Sequence, residues 1–253
     1  MRLIVLLLLI CCALPAQAAA VLDQIRASGV LRVGTTGDYK PFSFRNPDGT
    51  YVGADIDMAQ SLAADLGVRV QIVPTTWGQM MADFTAGRFD IAMGGITNLP
   101  ARAAKGMFAH TIYVDGKRPI VRCADRDTYV SVDAINQPQV RVIVNPGASN
   151  EEFARANFPK AQLAIFPDNA TVFGEIAANR ADVMVTDGIE VDHQSSLHHE
   201  LCPAHVAASF TRLEKAYWLQ PDADLLALVN AWEDGEIAGG GWKQKLDKAL
   251  ASP

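Results

Sequence analysis

Short β-branched runs that each stop at a polar or glycine-containing segment occur in two successive sets along this chain, and that pattern restricts the folds open to it. Apolar runs at 31–34, 68–73, 91–93, 120–121, 140–144, 163–166 and 183–185 have the length and composition of buried strands. Between them, apolar residues recur at helical spacing over 57–66, 79–86, 151–157 and 170–178. Gly67 stops the first of these helices, and Ser149 or Asn150 can cap the third. Such alternation predicts α/β architecture with mostly parallel sheets flanked by helices.

Four of the runs lead directly into chemistry-bearing segments. These are Thr35-Thr36-Gly37-Asp38-Tyr39-Lys40-Pro41-Phe42, Gly94-Gly95-Ile96-Thr97 leading to Arg102, Asn145-Pro146-Gly147-Ala148-Ser149-Asn150, and Thr186-Asp187-Gly188-Ile189-Glu190. Ligands of open α/β sheets sit outside the carboxyl ends of strands, and two such ends fall in each half of the chain. The expectation is therefore a two-lobed protein with its ligand cleft between the lobes. Residues 113–117 supply the crossing and 209–217 the return, so that 19–114 and 213–253 form lobe 1 and 115–212 lobe 2. Helices over 223–236 and 242–249 rejoin lobe 1, and the paired crossings make a hinge that permits closure.

Residues 1–18 read as a secretory signal: Arg2, an apolar run from 3 to 10, and Ala16-Gln17-Ala18 as the cleavage site. That run is too short to span a bilayer, and Ile10 before Cys11 is not the small residue that lipoprotein processing favours. A soluble, exported chain beginning near Ala19 is expected. Of the four cysteines, Cys123 and Cys202 remain in it, and an oxidising compartment predicts a disulfide between them. The net charge of -6 and pI near 5.3 argue against nucleic acid as a partner. A small anion responds to a local field and is not excluded.

Gly29-Val30-Leu31-Arg32-Val33, Tyr39-Lys40-Pro41-Phe42-Ser43-Phe44, Gly53-x-Asp55-x-Asp57-Met58-Ala59 and Arg88-Phe89-Asp90-Ile91-Ala92 resemble the amino-terminal half of bacterial extracellular solute-binding proteins for polar amino acids, family 3. Within that superfamily, the Thr35 to Ser43 segment, Val144-Asn145-Pro146-Gly147, Phe153-Ala154-Arg155-Ala156-Asn157, Pro167-Asp168-Asn169, Thr186-Asp187-x-Ile189-Glu190 and Glu214-Lys215-Ala216-Tyr217 are similar to the periplasmic cyclohexadienyl dehydratases. The resemblance implies the type II periplasmic-binding-protein fold. It also implies a lyase that converts prephenate to phenylpyruvate, or arogenate to phenylalanine, in the periplasm. One departure stands at Asn98-Leu99-Pro100-Ala101-Arg102, where an acidic residue is expected just before the arginine.

On this basis Glu190 is the candidate general acid, because burial of its carboxyl in a closed cleft would raise its pKa and keep a proton available. Without the resemblance it reads as a solvated glutamate in the first turn of a helix. Arg102 can hold a substrate carboxylate through parallel donors, with Thr97 adding another; an exposed arginine is the plainer alternative. Asn145 and Ser149 flank a loop whose following helix start suits a second carboxylate, although the same letters make an ordinary turn and cap. Asp187 resembles the residue that meets a ligand ammonium in amino-acid binders. Asp38, Tyr39 and Trp77 complete the candidate substrate-binding set, the aromatic rings as cleft walls, while Lys215 is set aside.

No cofactor is implied. The run Asp192-His193, His198-His199, Glu200, Cys202 and His205 lacks the i, i+4 histidine pair of a helical metal site, and Cys202 is committed to the disulfide. No Gly-rich phosphate loop and no Gly-x-Ser-x-Gly elbow occurs. The alternative function is a non-catalytic amino-acid receptor that serves the membrane subunits of an ABC transporter. It leaves Glu190 without a task and gives Asp187 the ligand's ammonium.

Overall fold

The computed structural model describes residues 20–147 and 149–252; the predicted signal over 1–18 and the mature start at Ala19 lie outside the described residues. Val30–Thr35 is flanked by Arg69–Pro74 and Ile91–Ala92, all parallel, and Trp218–Leu219 and Met107–Phe108 continue that sheet with antiparallel pairings. The second sheet repeats the plan. Arg141–Val144 lies between Gln162–Ile165 and Val183–Asp187, again parallel, and Lys117–Arg122 and Leu201–Pro203 are added antiparallel. In both sheets the first strand of the parallel trio is central, so the chain direction switches beside it and leaves a crevice at the carboxyl ends. All four chemistry-bearing segments leave strands at those ends.

Parallel strands buried on both faces need apolar side chains on both. Val121, Val142, Val144, Val183 and Val185 pack into one cluster, and Ile120, Ile143 and Met184, the alternate residues, pack into another on the opposite face. Around the first sheet, Leu31, Val33 and Ile91 join Leu225, Val229, Trp232, Trp242 and Leu246, so the helices Ala223–Ala238 and Gly241–Leu250 pack on this sheet. The Asp222 carboxylate caps Ala223–Ala238 through the Asp224 and Leu225 amides and also accepts the Leu22 amide of Val21–Ser28. One side chain thereby ties the first described helix to the penultimate one.

Tyr113–Asp115 and Leu213–Lys215 run antiparallel to each other as the chain leaves the first sheet and returns to it. The expected strands are present, and their boundaries move by a few residues. Three antiparallel segments not expected, Asp38–Tyr39, Ser43–Arg45 and Tyr51–Val52, form a meander beside the cleft. Among the described residues no helix is long and apolar enough to cross a membrane.

Cys123, at the end of Lys117–Arg122, is disulfide-bonded to Cys202 on the neighbouring strand, with Cα atoms 4.7 Å apart. The bond closes a long loop, which in the chain-entropy picture contributes about 4 kcal/mol by restricting the unfolded chain. Thiol titration of the denatured, unreduced protein lacking residues 1–18 is expected to find no free cysteine. Two titratable thiols would show that the bond does not form.

Candidate active site

Twelve residues line a cleft between the two sheets: Tyr39, Trp77, Gly95, Thr97, Arg102, Asn145, Ser149, Asn150, Asn169, Asp187, Glu190 and Lys215. Of the nine candidates, eight line it. Asp38 stands one layer back, where its Oδ1 accepts a hydrogen bond from Trp77 Nε1 at 3.0 Å and so orients the indole.

The loop after Ile91–Ala92 depends on a buried carboxylate. Asp55, in the first turn of Ala54–Asp65, accepts the Gly94 and Gly95 amides at 2.9 and 2.7 Å and the Tyr217 hydroxyl at 3.1 Å. Burial pushes its pKa up to about 6 against the pull of these donors. Gly95 has φ +70, and a Cβ there would sit 2.4 Å from the Tyr39 ring, so glycine is required where this turn meets the aromatic wall.

Beyond that turn, Thr97 takes a hydrogen bond on Oγ1 from Lys215 Nζ at 3.0 Å, and its carbonyl accepts one from Arg102 Nη1 at 3.0 Å. Arg102 rides on the single helical turn Pro100–Ala103, with its guanidinium 6.0 Å from the Trp77 ring centroid. It is 6 % exposed, and among the described residues no carboxylate pairs with it. Burial lowers its pKa to about 10. A desolvated cation without an ion-pair partner is costly, and only the field of Glu152 from farther off offsets that cost; the remaining guanidinium donors have no partner among the described residues. The missing acidic residue before it does not keep Arg102 from the cavity.

Asp187 lies at the centre of the charge arrangement. Its Oδ1 accepts Lys117 Nζ at 2.8 Å, and its Oδ2 accepts Lys215 Nζ at 2.5 Å and the Tyr39 hydroxyl at 2.5 Å. The two ammonium groups outweigh burial and hold this carboxyl well below the usual carboxylate range. Both oxygens of Asp187 are engaged, and its charge is already faced by two ammonium groups within the protein. Lys117 also donates to Ser149 Oγ at 3.0 Å and to Asn150 Oδ1. Asn150 therefore serves as a bridge and not as the cap the sequence suggested: it is inside Ser149–Asn157, and its amide donates to Asn145 Oδ1 at 3.0 Å and Thr186 Oγ1 at 2.9 Å. The buried lysine and threonine need those partners.

Glu190 sits in the first turn of Gly188–Leu197, whose leading amides at Gly188 and Ile189 are met by the Asp115 carboxylate at 3.1 and 2.9 Å. The crossing strand thus sets the position of the helix that carries the acid. Glu190 is 1 % exposed, and its Oε2 accepts the Thr186 hydroxyl while Oε1 has no hydrogen-bond partner. Burial, reinforced by the Asp187 carboxylate, lifts its pKa to about 8 against the opposing pull of Thr186 and Lys117. At neutral pH this carboxyl carries its proton. The lining then carries two cations, Arg102 and Lys215, against the Asp187 carboxylate, with Lys117 and Asp38 one layer back, a field suited to an anionic ligand.

Sequence reasoning missed Lys117, Asn150, Thr186 and Asn169 and set Lys215 aside. Thr186 and Lys215 stood inside matched segments, and Lys117 was a charged residue opening an apolar strand. Elsewhere in the molecule, His205 of the histidine-rich run pairs with Asp127 at 2.7 Å, away from the cleft.

The sequence pattern of bacterial extracellular solute-binding proteins, family 3, matches residues 31–251. A cyclohexadienyl dehydratase of Pseudomonas aeruginosa is 47% identical over 229 residues, which covers 90% of this chain and 85% of that protein. Among solved structures, an ancestral amino acid-binding protein described as a precursor of cyclohexadienyl dehydratase superposes with a TM-score of 0.84 at 35% identity, covering 92% of this chain and 100% of the other. An ancestral cyclohexadienyl dehydratase aligns with a TM-score of 0.58 at 46% identity, covering 93% and 98%.

Proposed function

The chain belongs to the bacterial extracellular solute-binding proteins, family 3, and on that frame we propose that it is a dehydratase converting prephenate to phenylpyruvate and arogenate to phenylalanine. The observation that carries the reading is Glu190, a fully buried carboxyl kept protonated at neutral pH beside a cationic site. In this reading residues 19–114 with 213–253 close against 115–212, and residues 1–18 direct the chain to the periplasm.

Prephenate needs one proton to leave as products. Glu190 gives its proton to the C4 hydroxyl, and the C–O bond breaks with its electron pair on the departing water. The bond from C1 to the ring carboxylate breaks at the same time, its pair enters the ring, and carbon dioxide leaves an aromatic product. Glu190 is left as a carboxylate and regains a proton from solvent before the next turnover. Arg102, with Thr97, holds one substrate carboxylate, and Asn145 and Ser149 face the other. Since the ring carboxylate loses its charge in the transition state, gripping it too tightly would stabilise the ground state and slow the step.

A receptor for amino acids would use a free carboxylate against the ligand's ammonium. Here Asp187 already faces the Lys117 and Lys215 ammonium groups and the Tyr39 hydroxyl, and Glu190 is neutral.

Incubation of the purified protein with prephenate is expected to yield phenylpyruvate. The pKa of the acid is raised and its protonated form is the active one, so kcat/KM should hold below about pH 8 and fall with loss of one proton above it. A profile that rises through pH 8 would make Glu190 a base, and no phenylpyruvate at any pH would restore the receptor reading.

A further inference from the structure

Asn169 lies on the loop between Gln162–Ile165 and Val172–Ala177, is 3 % exposed, and lines the cavity with Glu190. Its Nδ2 donates to the backbone carbonyl of Asp38 at 2.9 Å, reaching from the segment after the second sheet's edge strand to the loop after the first strand of the other sheet. A carbonyl can only accept, so this bond fixes which end of the amide is which. Oδ1 is left buried without a partner.

Other side-chain acceptors around the cavity are already engaged. Asp187 takes two ammonium groups and a phenol, Asn145 Oδ1 takes the Asn150 amide, Thr97 Oγ1 takes Lys215, and Ser149 Oγ takes Lys117. With Glu190 protonated and acting as a donor, Asn169 Oδ1 is the unmet side-chain acceptor among the described lining residues. A buried acceptor left unpaired is unfavourable, and a ligand that brings one donor would satisfy it. Prephenate, with two carboxylates and a ketone, carries a single donor, the hydroxyl at C4.

We infer that Asn169 is a substrate-contacting residue that accepts the hydrogen bond of the departing hydroxyl and so turns that oxygen's lone pair toward Glu190. The inference rests on the dehydratase reading and deepens it. As Glu190 delivers its proton, the hydroxyl oxygen becomes positive and its own O–H a stronger donor, so the bond to Asn169 tightens in the transition state. An amide serves here where a carboxylate would not: it accepts at every working pH and adds no negative charge beside Glu190.

The test compares substrate with product, since phenylpyruvate lacks the ring hydroxyl. In Asn169→Leu, kcat/KM for prephenate is expected to fall more than about tenfold, as for a lost hydrogen bond that strengthens in the transition state. Inhibition by phenylpyruvate, which loses only the effect of the bond to the Asp38 carbonyl, should weaken several-fold less than kcat/KM falls. A thermal melt checks folding, and Asn169→Ala is measured should the leucine variant not fold. Parallel weakening of substrate and product would make Asn169 a closure contact, and an unchanged kcat/KM would remove it from the site; either overturns the proposal. No phenylpyruvate formed by the unmodified protein would instead overturn the dehydratase reading itself.

Discussion

Glu190→Gln is expected to lower turnover of prephenate by about 10²-fold or more, the usual contribution of a positioned acid, while a non-reacting substrate analogue still binds within about threefold. The substitution is close to silent in every other respect. Glutamine keeps the volume and a donor toward the cavity, and its amide oxygen can still accept from Thr186. Since Glu190 is protonated at neutral pH, replacing it removes no charge from the field of Lys117, Asp187 and Lys215. What is lost is the transferable proton. Steady-state kinetics with calorimetric binding of the analogue separates the outcomes: joint loss of binding and turnover would make Glu190 a positioning residue, and near-normal turnover would remove it from the mechanism.

Arg102→Met should weaken substrate binding by more than about tenfold, because an anion desolvated in the cleft would lose its charged partner. Thermal stability should move little, since the guanidinium is itself buried without a carboxylate and its removal relieves a desolvation cost. Measured dissociation constants and melting temperatures test both halves. Unchanged affinity would shift the carboxylate site to Lys215 or to the Asn145 loop, and a large fall in melting temperature would show that Arg102 serves the fold.

Much of the fold was legible because its signal is local. Runs such as Val142, Ile143 and Val144 are apolar on successive residues, as strands buried on both faces must be, and each stops at a residue that cannot continue it. The meander through Asp38–Tyr39 escaped notice because strands of two or three residues have no period to read. Gly188–Leu197 was legible at its first turn and not in its extent: Glu190, His193 and Gln194 are buried along with Ile189 and Val191, so the buried face is no apolar stripe.

At the site, Glu190 and Arg102 were found through their segments, whereas Lys117 and Lys215 were not. A lysine is by default exposed, and these two are buried by Asp187, which lies far from either in sequence. Asn169 stood in a recognised segment, yet only the Asp38 carbonyl across the cleft shows which way its amide faces.

Trp218–Leu219 lies inside the first sheet, between Ile91–Ala92 and Met107–Phe108, whereas every strand of the second sheet falls between residues 117 and 203. A chain made from its amino end therefore has all the strands of the second sheet, and both cysteines of its disulfide, before it has the strand that joins Met107–Phe108 to the rest of the first sheet. The body that begins first is completed last. Until residue 219 is available, the strands Ile91–Ala92 and Met107–Phe108 each present an unpaired edge, the kind of surface on which incomplete chains associate wrongly. Holding the nascent chain apart from its neighbours matters most over that interval, and a truncation before Leu219 would leave the exposure permanent.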